Sequence, residues 1–221
     1  MQLYETMRTT FAARNFEPEA IPDDILYRIL DNARFAPSGG NRQGWRVISI
    51  RDTDKRNAIE NLMQPAAKRY FAQMAQGENP WNSWEETAVN EQQINATEVP
   101  KAFLHAIAHA PTLLLVLADL RLIASMDANL DRVGIISGAS IYPFAWNILL
   151  AARSEGYGGT MTTFVTHEEK ALQELLDIPD YMATCALLPM GKPIKQLTKL
   201  KRNAVETFAW HDSWEGNSIE S

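Results

Sequence analysis

The segment Ala36-Pro37-Ser38-Gly39-Gly40-Asn41-Arg42-Gln43-Gly44-Trp45 carries the densest set of groups able to hold a small polar ligand. Gly39 and Gly40 leave the backbone bare, so a ligand can approach closely. Ser38, Asn41 and Gln43 add donors and acceptors suited to a polar ring edge or a sugar chain. A second set lies near the start of the chain, where Arg8, Thr9, Thr10 and Arg14 offer two guanidiniums and two hydroxyls ahead of Phe16. The planar guanidinium fork matches phosphate oxygens. Taken alone, the first set also fits a polar turn and the second a solvated helix face.

Other groups invite chemistry less strongly. His105 and His109 stand four apart, a possible metal pair, but no Glu or Cys follows at ligand spacing and His-Glu-x-x-His is absent. A packed or exposed helix face without metal is expected there. Gly156-Tyr157-Gly158-Gly159 lacks the full dinucleotide fingerprint and follows a helix rather than a strand, so no Rossmann domain is expected. Tyr70, Phe71, Trp81 and Trp84 can stack on a substrate or simply pack. The lone Cys185 sits in an apolar run and reads as a small strand residue. No Ser, His and Asp stand at usable spacing, so no protein nucleophile is expected.

These groups need elements to position them. Weak helical spacing covers 3–12. Pro22, Asp23 and Asp24 open a helix over 22–34 whose Ile25, Leu26, Ile29 and Leu30 share a face. Pro37 and the paired glycines force a loop, and Trp45 to Ile50 reads as a strand. Asp52 or Thr53 caps a helix running to about Ala75. The polar stretch 77–99 reads as an insertion over a pocket. Residues 100–109 look helical, and Thr112 to Ala118 suits a central strand. The uncharged run from Val133 to Ala152 predicts one long buried helix over 132–155 rather than a membrane span. A Gly- and Thr-rich extended piece from Tyr157 to Val165, a short helix from His167 to Leu176 and a strand from Tyr181 to Met190 complete the pattern.

In that order the pieces resemble the nitroreductase family of FMN enzymes. The resemblance rests on Arg14-Asn15-Phe16, Ile21 to Leu26, the Ala-Pro-Ser-x-x-Asn-x-Gln element at Ala36 to Gln43, Asn147, the 156–159 turn, Gly191-Lys192-Pro193 and Lys201-Arg202. Gly44 stands where the family commonly has Pro. The resemblance implies one α+β domain over 1–221, with a central, mostly antiparallel sheet flanked by helices in an intertwined homodimer, the long central helix supplying much of the interface. It implies that Arg8, Thr10 and Arg202, with Thr9 and Lys201 beside them, hold the FMN phosphate. Pro37, Ser38, Gly39 and Asn41 would line the flavin from the second subunit. Arg14 and Gln43 would touch the ring or ribityl chain, and Gly158, Gly159 and Thr160 would present backbone near N5. Tyr70, Trp81 and Trp84 are the candidate substrate contacts.

The implied activity is hydride transfer from NAD(P)H through flavin N5 to a nitroaromatic- or quinone-like acceptor, in ping-pong fashion. The alternatives are oxidation or dehalogenation of a specific substrate, or a protein that sequesters FMN beneath the insertion. A net charge of −6 argues against nucleic-acid or anionic-membrane partners. The start of the chain lacks the pattern of a secretion signal, and with one cysteine a cytoplasmic location is expected.

Overall fold

The computed structural model describes residues 2–220. Its centre is β2 (Thr112–Asp119), buried at every position. β1 (Trp45–Ser49) and β4 (Met182–Gly191) pair with it antiparallel, and β3 (Gly158–Gly159) pairs antiparallel with β4, giving the order β1-β2-β4-β3. The expected α+β fold with an antiparallel sheet is therefore present. Because side chains alternate along a strand, Leu114, Val116 and Ala118 face one core while Leu113, Leu115 and Leu117 face the other. Helices cover both faces.

On the first face lie α2 (Asp23–Ala33) and α7 (Tyr142–Ser154). Leu26, Ile29 and Ala33 of α2 meet Phe144, Ala145, Ile148 and Ala152 of α7 over the sheet. Trp45 stacks on Phe144 at 4.8 Å between ring centroids. Each large apolar side chain buried this way contributes about 1.5–3 kcal/mol. On the second face lie α3 (Thr53–Leu62), α6 (Lys101–Ala108) and α8 (Glu169–Leu176). α1 (Leu3–Thr9) rests against α7, and α4 (Gln64–Ala75) carries the short α5 (Glu91–Ala96).

Two expectations are corrected and a third gains detail. The helix expected from residue 52 or 53 to 75 is two helices, divided at Met63; Pro65, lacking an N–H, is tolerated because it falls in the first turn of α4. The insertion is not wholly irregular, since Asn90 and Gln93 cap each other's backbone and start α5 inside it. The long buried helix over 132–155 is absent before Tyr142. The helix begins at Tyr142, where Pro143 again occupies a first turn, and a 3-10 turn over Ile136–Ser140 precedes it. Val133 and Ile135 are exposed, although apolar. Asp127 organises this stretch, accepting from Ile135 N at 2.8 Å, Ile136 N at 3.3 Å and Arg132 Nη1 at 2.8 Å.

Cys185 lies at the β-bulge between Val116 and Leu117 of β2, where Ala186 and Thr184 are the paired residues on β4. Burial pushes its thiol up to about 11, with Glu169 adding to the shift. Such a thiol carries little nucleophilic thiolate near neutrality. Among the described residues no helix is long and apolar enough to cross a membrane.

Candidate functional site

The two guanidinium-bearing ends of the chain are drawn together by backbone pairing. Phe16 bridges to Pro193, Glu17 N donates to Lys192 O at 2.8 Å, and Ile194 N donates to Asn15 O at 3.2 Å. Gln196 Nε2 then donates to Thr9 O at 2.9 Å. The basic tail thus enters beside the end of α1. Lys201 and Arg202, both exposed, follow within about 20 Å of chain reach. Among the described residues, Arg202 Nη1 donates only to the neighbouring Lys201 O, at 2.7 Å. Arg8 is exposed in the last turn of α1. The Thr9 and Thr10 side chains are buried and already engaged: Thr10 Oγ1 donates to Thr6 O at 2.7 Å, and Thr9 Oγ1 donates to Glu5 O at 2.8 Å while accepting from Arg153 Nε at 3.0 Å. These hydroxyls fasten the end of α1.

Ala12 bridges in parallel to Gly159, which brings Arg14 to Thr160. The result is a cavity of about 300 Å³ lined by Arg14, Asn15, Phe103, Ile107, Thr160 and Pro189, among others. Arg14 spends one donor on Ala12 O at 3.2 Å and keeps the rest of its fork free to address a ligand. A side chain could not be added at Gly159, where a Cβ would meet Met190 Cγ and Pro189 O at 2.7 Å. At Gly158 it would meet Pro193 Cγ at 3.1 Å.

A second cavity, about 370 Å³, adjoins through the same 160–167 segment. Tyr70, Pro80, Trp81, Phe164 and His167 line it. Phe103, which lines the first cavity, packs edge-on at 5.6 Å against Phe164, which lines the second. Of the three candidate substrate contacts, Tyr70 and Trp81 line this cavity together, whereas Trp84 is 89% exposed and lines neither cavity. The insertion is tied down by Glu78, which accepts from Gln73 Nε2, Thr87 Oγ1 and Ala88 N at 3.1, 2.7 and 2.8 Å. The Thr87 hydroxyl, the Ala88 amide and Gln73 hold the Glu78 carboxyl below its ordinary range.

Sequence reading passed over Arg69. Its guanidinium lies 4.4 Å over the Trp81 ring, and its buried Nε has no hydrogen-bond partner among the described residues. The signal was present in the Arg69-Tyr70-Phe71 run, but only the fold brings Trp81 back onto it.

The loop 36–44 stands elsewhere. Gln43 N donates to Ser38 Oγ at 3.0 Å, Gln43 Nε2 donates to Asn41 Oδ1 at 3.2 Å, and Gly39 N donates to Ser140 Oγ at 3.0 Å. Asn41 and Gln43 hold φ of 53° and 52°. Left-handed backbone at non-glycine residues costs about 1–3 kcal/mol each and gathers at ligand-holding loops. The loop leads into Trp45, opposite Ala118 at the far end of β2, whereas Gly159 reaches the sheet at Met190, opposite Thr112. Thr112 and Ala118 are about 20 Å apart along a strand. In one chain, therefore, the loop 37–43 and the Arg14–Thr160 cavity lie at opposite ends of the sheet and on opposite sides of β2. A larger cleft of about 510 Å³ beside Asp23, Arg51 and Arg56 contains none of the expected site residues.

Comparison with known proteins gives a consistent picture. A model described as "Nitroreductase family" matches residues 7–192. Mouse iodotyrosine deiodinase 1 is 24% identical over 208 residues, covering 93% of this chain, which spans 67% of the mouse protein. A putative NADH dehydrogenase/NAD(P)H nitroreductase of Methanothermobacter thermautotrophicus is 21% identical over 195 residues, 87% of this chain and 78% of that protein. The structure of an oxidised iodotyrosine deiodinase bound to FMN and 3-iodo-L-tyrosine superposes with a TM-score of 0.68 at 23% identity, covering 96% of this chain and all of that one.

Proposed function

Because the chain belongs to the nitroreductase family, we propose that it is an FMN-dependent oxidoreductase working as a homodimer, which takes hydride from a reduced nicotinamide and delivers it to a small nitroaromatic- or quinone-like acceptor in a ping-pong cycle. The observation that carries this reading is the separation of the two half-sites along β2. One flavin ring cannot touch both within a chain. Two copies about a two-fold axis set the 37–43 loop of one against the Arg14–Thr160 cavity of the other, and do so twice. Exposed Leu3, Tyr4, Met7, Ile135, Tyr142 and Trp146 supply apolar surface for a second copy to cover.

The donor set fits the cofactor. When bound, FMN supplies a ring nitrogen, N5, that accepts and returns hydride. Arg8 and Arg202, with Thr9, Thr10 and Lys201 shaping the pocket beside them, hold the phosphate through charge-assisted hydrogen bonds. Arg14 places positive charge where the reduced ring gathers negative charge, which favours reduction. Gly158, Gly159 and Thr160 would present backbone to the ring edge, and Pro37, Ser38, Gly39, Asn41 and Gln43 would close over it from the other copy. Phe103 and Ile107 keep water from that wall, and Tyr70 and Trp81 receive the aromatic reactant.

The test is anaerobic mixing of the purified yellow protein with NADH or NADPH, after mass identification of the released cofactor. Rapid bleaching, and recolouring on addition of a quinone, is the expected result. Persistent colour would favour sequestration instead, and a colourless protein that takes up no FMN would remove the reading altogether.

Arg69 favours a second reading. A cation with a free buried donor beside Trp81 and Tyr70 suits an aromatic substrate bearing a carboxylate. Reductive dehalogenation of such a compound is that reading, and halide release from a halotyrosine in the presence of reductant tests it.

A further inference from the structure

His105 lies on α6 and His109 caps its C-terminal end, and nothing near them in sequence completes a ligand set. The fold supplies the third member from α3. Glu60 Oε2 lies 3.1 Å from His105 Nδ1 and 3.0 Å from His109 Nε2. The imidazoles stack with centroids 4.2 Å apart and planes 23° from parallel. All three potential ligand atoms lie within 4.8 Å of one another.

We propose that Glu60, His105 and His109 bind a borderline divalent ion of the zinc class, with water completing the coordination. Two neutral imidazoles and one carboxylate form a donor set such ions favour. Bonds of about 2.0–2.1 Å at tetrahedral angles space neighbouring ligand atoms about 3.3 Å apart. Both carboxylate–imidazole edges already stand within a few tenths of an ångström of that spacing, and the imidazole–imidazole edge, no longer than 4.8 Å, closes to it by rotation of the rings. The imidazoles converge on a single oxygen, so the ion takes the place of two N–H donors competing for it.

Burial divides the labour among the ligands. The Glu60 and His109 side chains are 22% and 21% exposed and are held by packing between α3 and α6, whereas His105, 64% exposed, leaves the ion a path from solvent. The ion would join α3 to α6 across a contact that now rests on apolar packing and these two hydrogen bonds. Phe103 and Ile107 of the same α6 line the Arg14 cavity, so this helix belongs to both places. The assignment does not depend on the flavin reading.

Zinc titration of the chelator-stripped full-length protein by calorimetry tests it. The expected result is one ion per chain at micromolar affinity near neutral pH, accompanied by a rise in Tm. His105→Ala, on an exposed surface, and Glu60→Gln should each weaken uptake about tenfold or more, with cofactor content unchanged. Zinc affinity that is the same in His105→Ala, or no uptake below millimolar zinc, would overturn the assignment.

Discussion

The backbone N–H of Ala13 donates to the Gly159 carbonyl oxygen at 3.0 Å, and this single pairing sets Arg14 beside Thr160. It joins a segment near the start of the chain to the edge strand formed after α7. The close approach depends on Gly159, because a methyl group there would run into the Pro189 carbonyl and Met190. We therefore expect Gly159→Ala to destabilise the fold by about 1–3 kcal/mol through overpacking, seen as a fall of roughly 2–12 °C in Tm for a chain of this size. An unchanged melting curve would mean that the 12–16 and 158–160 segments move apart freely.

Arg14 and Arg202 occupy different parts of the proposed cofactor site, and their substitutions should differ. Arg202→Ala removes the proposed phosphate contact and should weaken FMN retention about 10- to 100-fold, the equivalent of one charge-assisted hydrogen bond, with the flavin potential little altered. Arg14→Ala should lower the potential as well, since it withdraws positive charge from the ring. Fluorescence titration of FMN and a dye-coupled potential measurement separate the two. If both variants hold FMN as tightly as the parent, the phosphate and ring roles are wrong.

Trp81 and Trp84 are three residues apart in sequence, but only Trp81 lines the aromatic cavity. Trp81→Ala should raise KM for aromatic acceptors about 2- to 10-fold, as expected for loss of an aromatic contact, and leave bound FMN untouched. Trp84→Ala, removing a side chain 89% exposed, should change neither. Equal effects from both would place the acceptor outside this cavity.

Asp127 gives a pH dependence whose direction is fixed. Amide donation from Ile135, the Arg132 guanidinium and amide donation from Ile136 hold its carboxyl at about 2, below the ordinary 3.8. The folded loop therefore favours the ionised form. Its stabilisation is complete above about pH 4 and is lost as pH falls from there through about 2. Protection factors of the 127–136 amides, measured against intrinsic exchange at each pH, should fall over that window, and Asp127→Asn should show the lower protection already at pH 6. Parallel profiles in the two proteins would show that the carboxylate does not organise the loop.

Much of the site could be read before folding, for identifiable reasons. The 36–43 loop declares itself because Pro37 and two glycines stop α2 and leave bare backbone among polar side chains. The helix before it and the strand after it were legible from the helical spacing of Ile25, Leu26, Ile29 and Leu30 and from the Trp45 to Ile50 run. The 132–155 stretch misled because composition reports burial and not periodicity. Its apolar residues, uncharged over a helix's length, include Val133 and Ile135, which the single chain leaves in solvent.

The amino-acid sequence by itself determined most of the helix and strand order and the residue types on offer, because these follow from local spacing and turn chemistry, and its motifs carried the resemblance to the family. Only the tertiary structure decided which of those residues meet. Pairing across β2 sends the 37–43 loop and Arg14 to opposite ends of the sheet, Arg69 comes under Trp81, and Glu60 reaches two histidines from 45 residues away. Such meetings depend on sheet register and helix packing, which no stretch of sequence encodes locally.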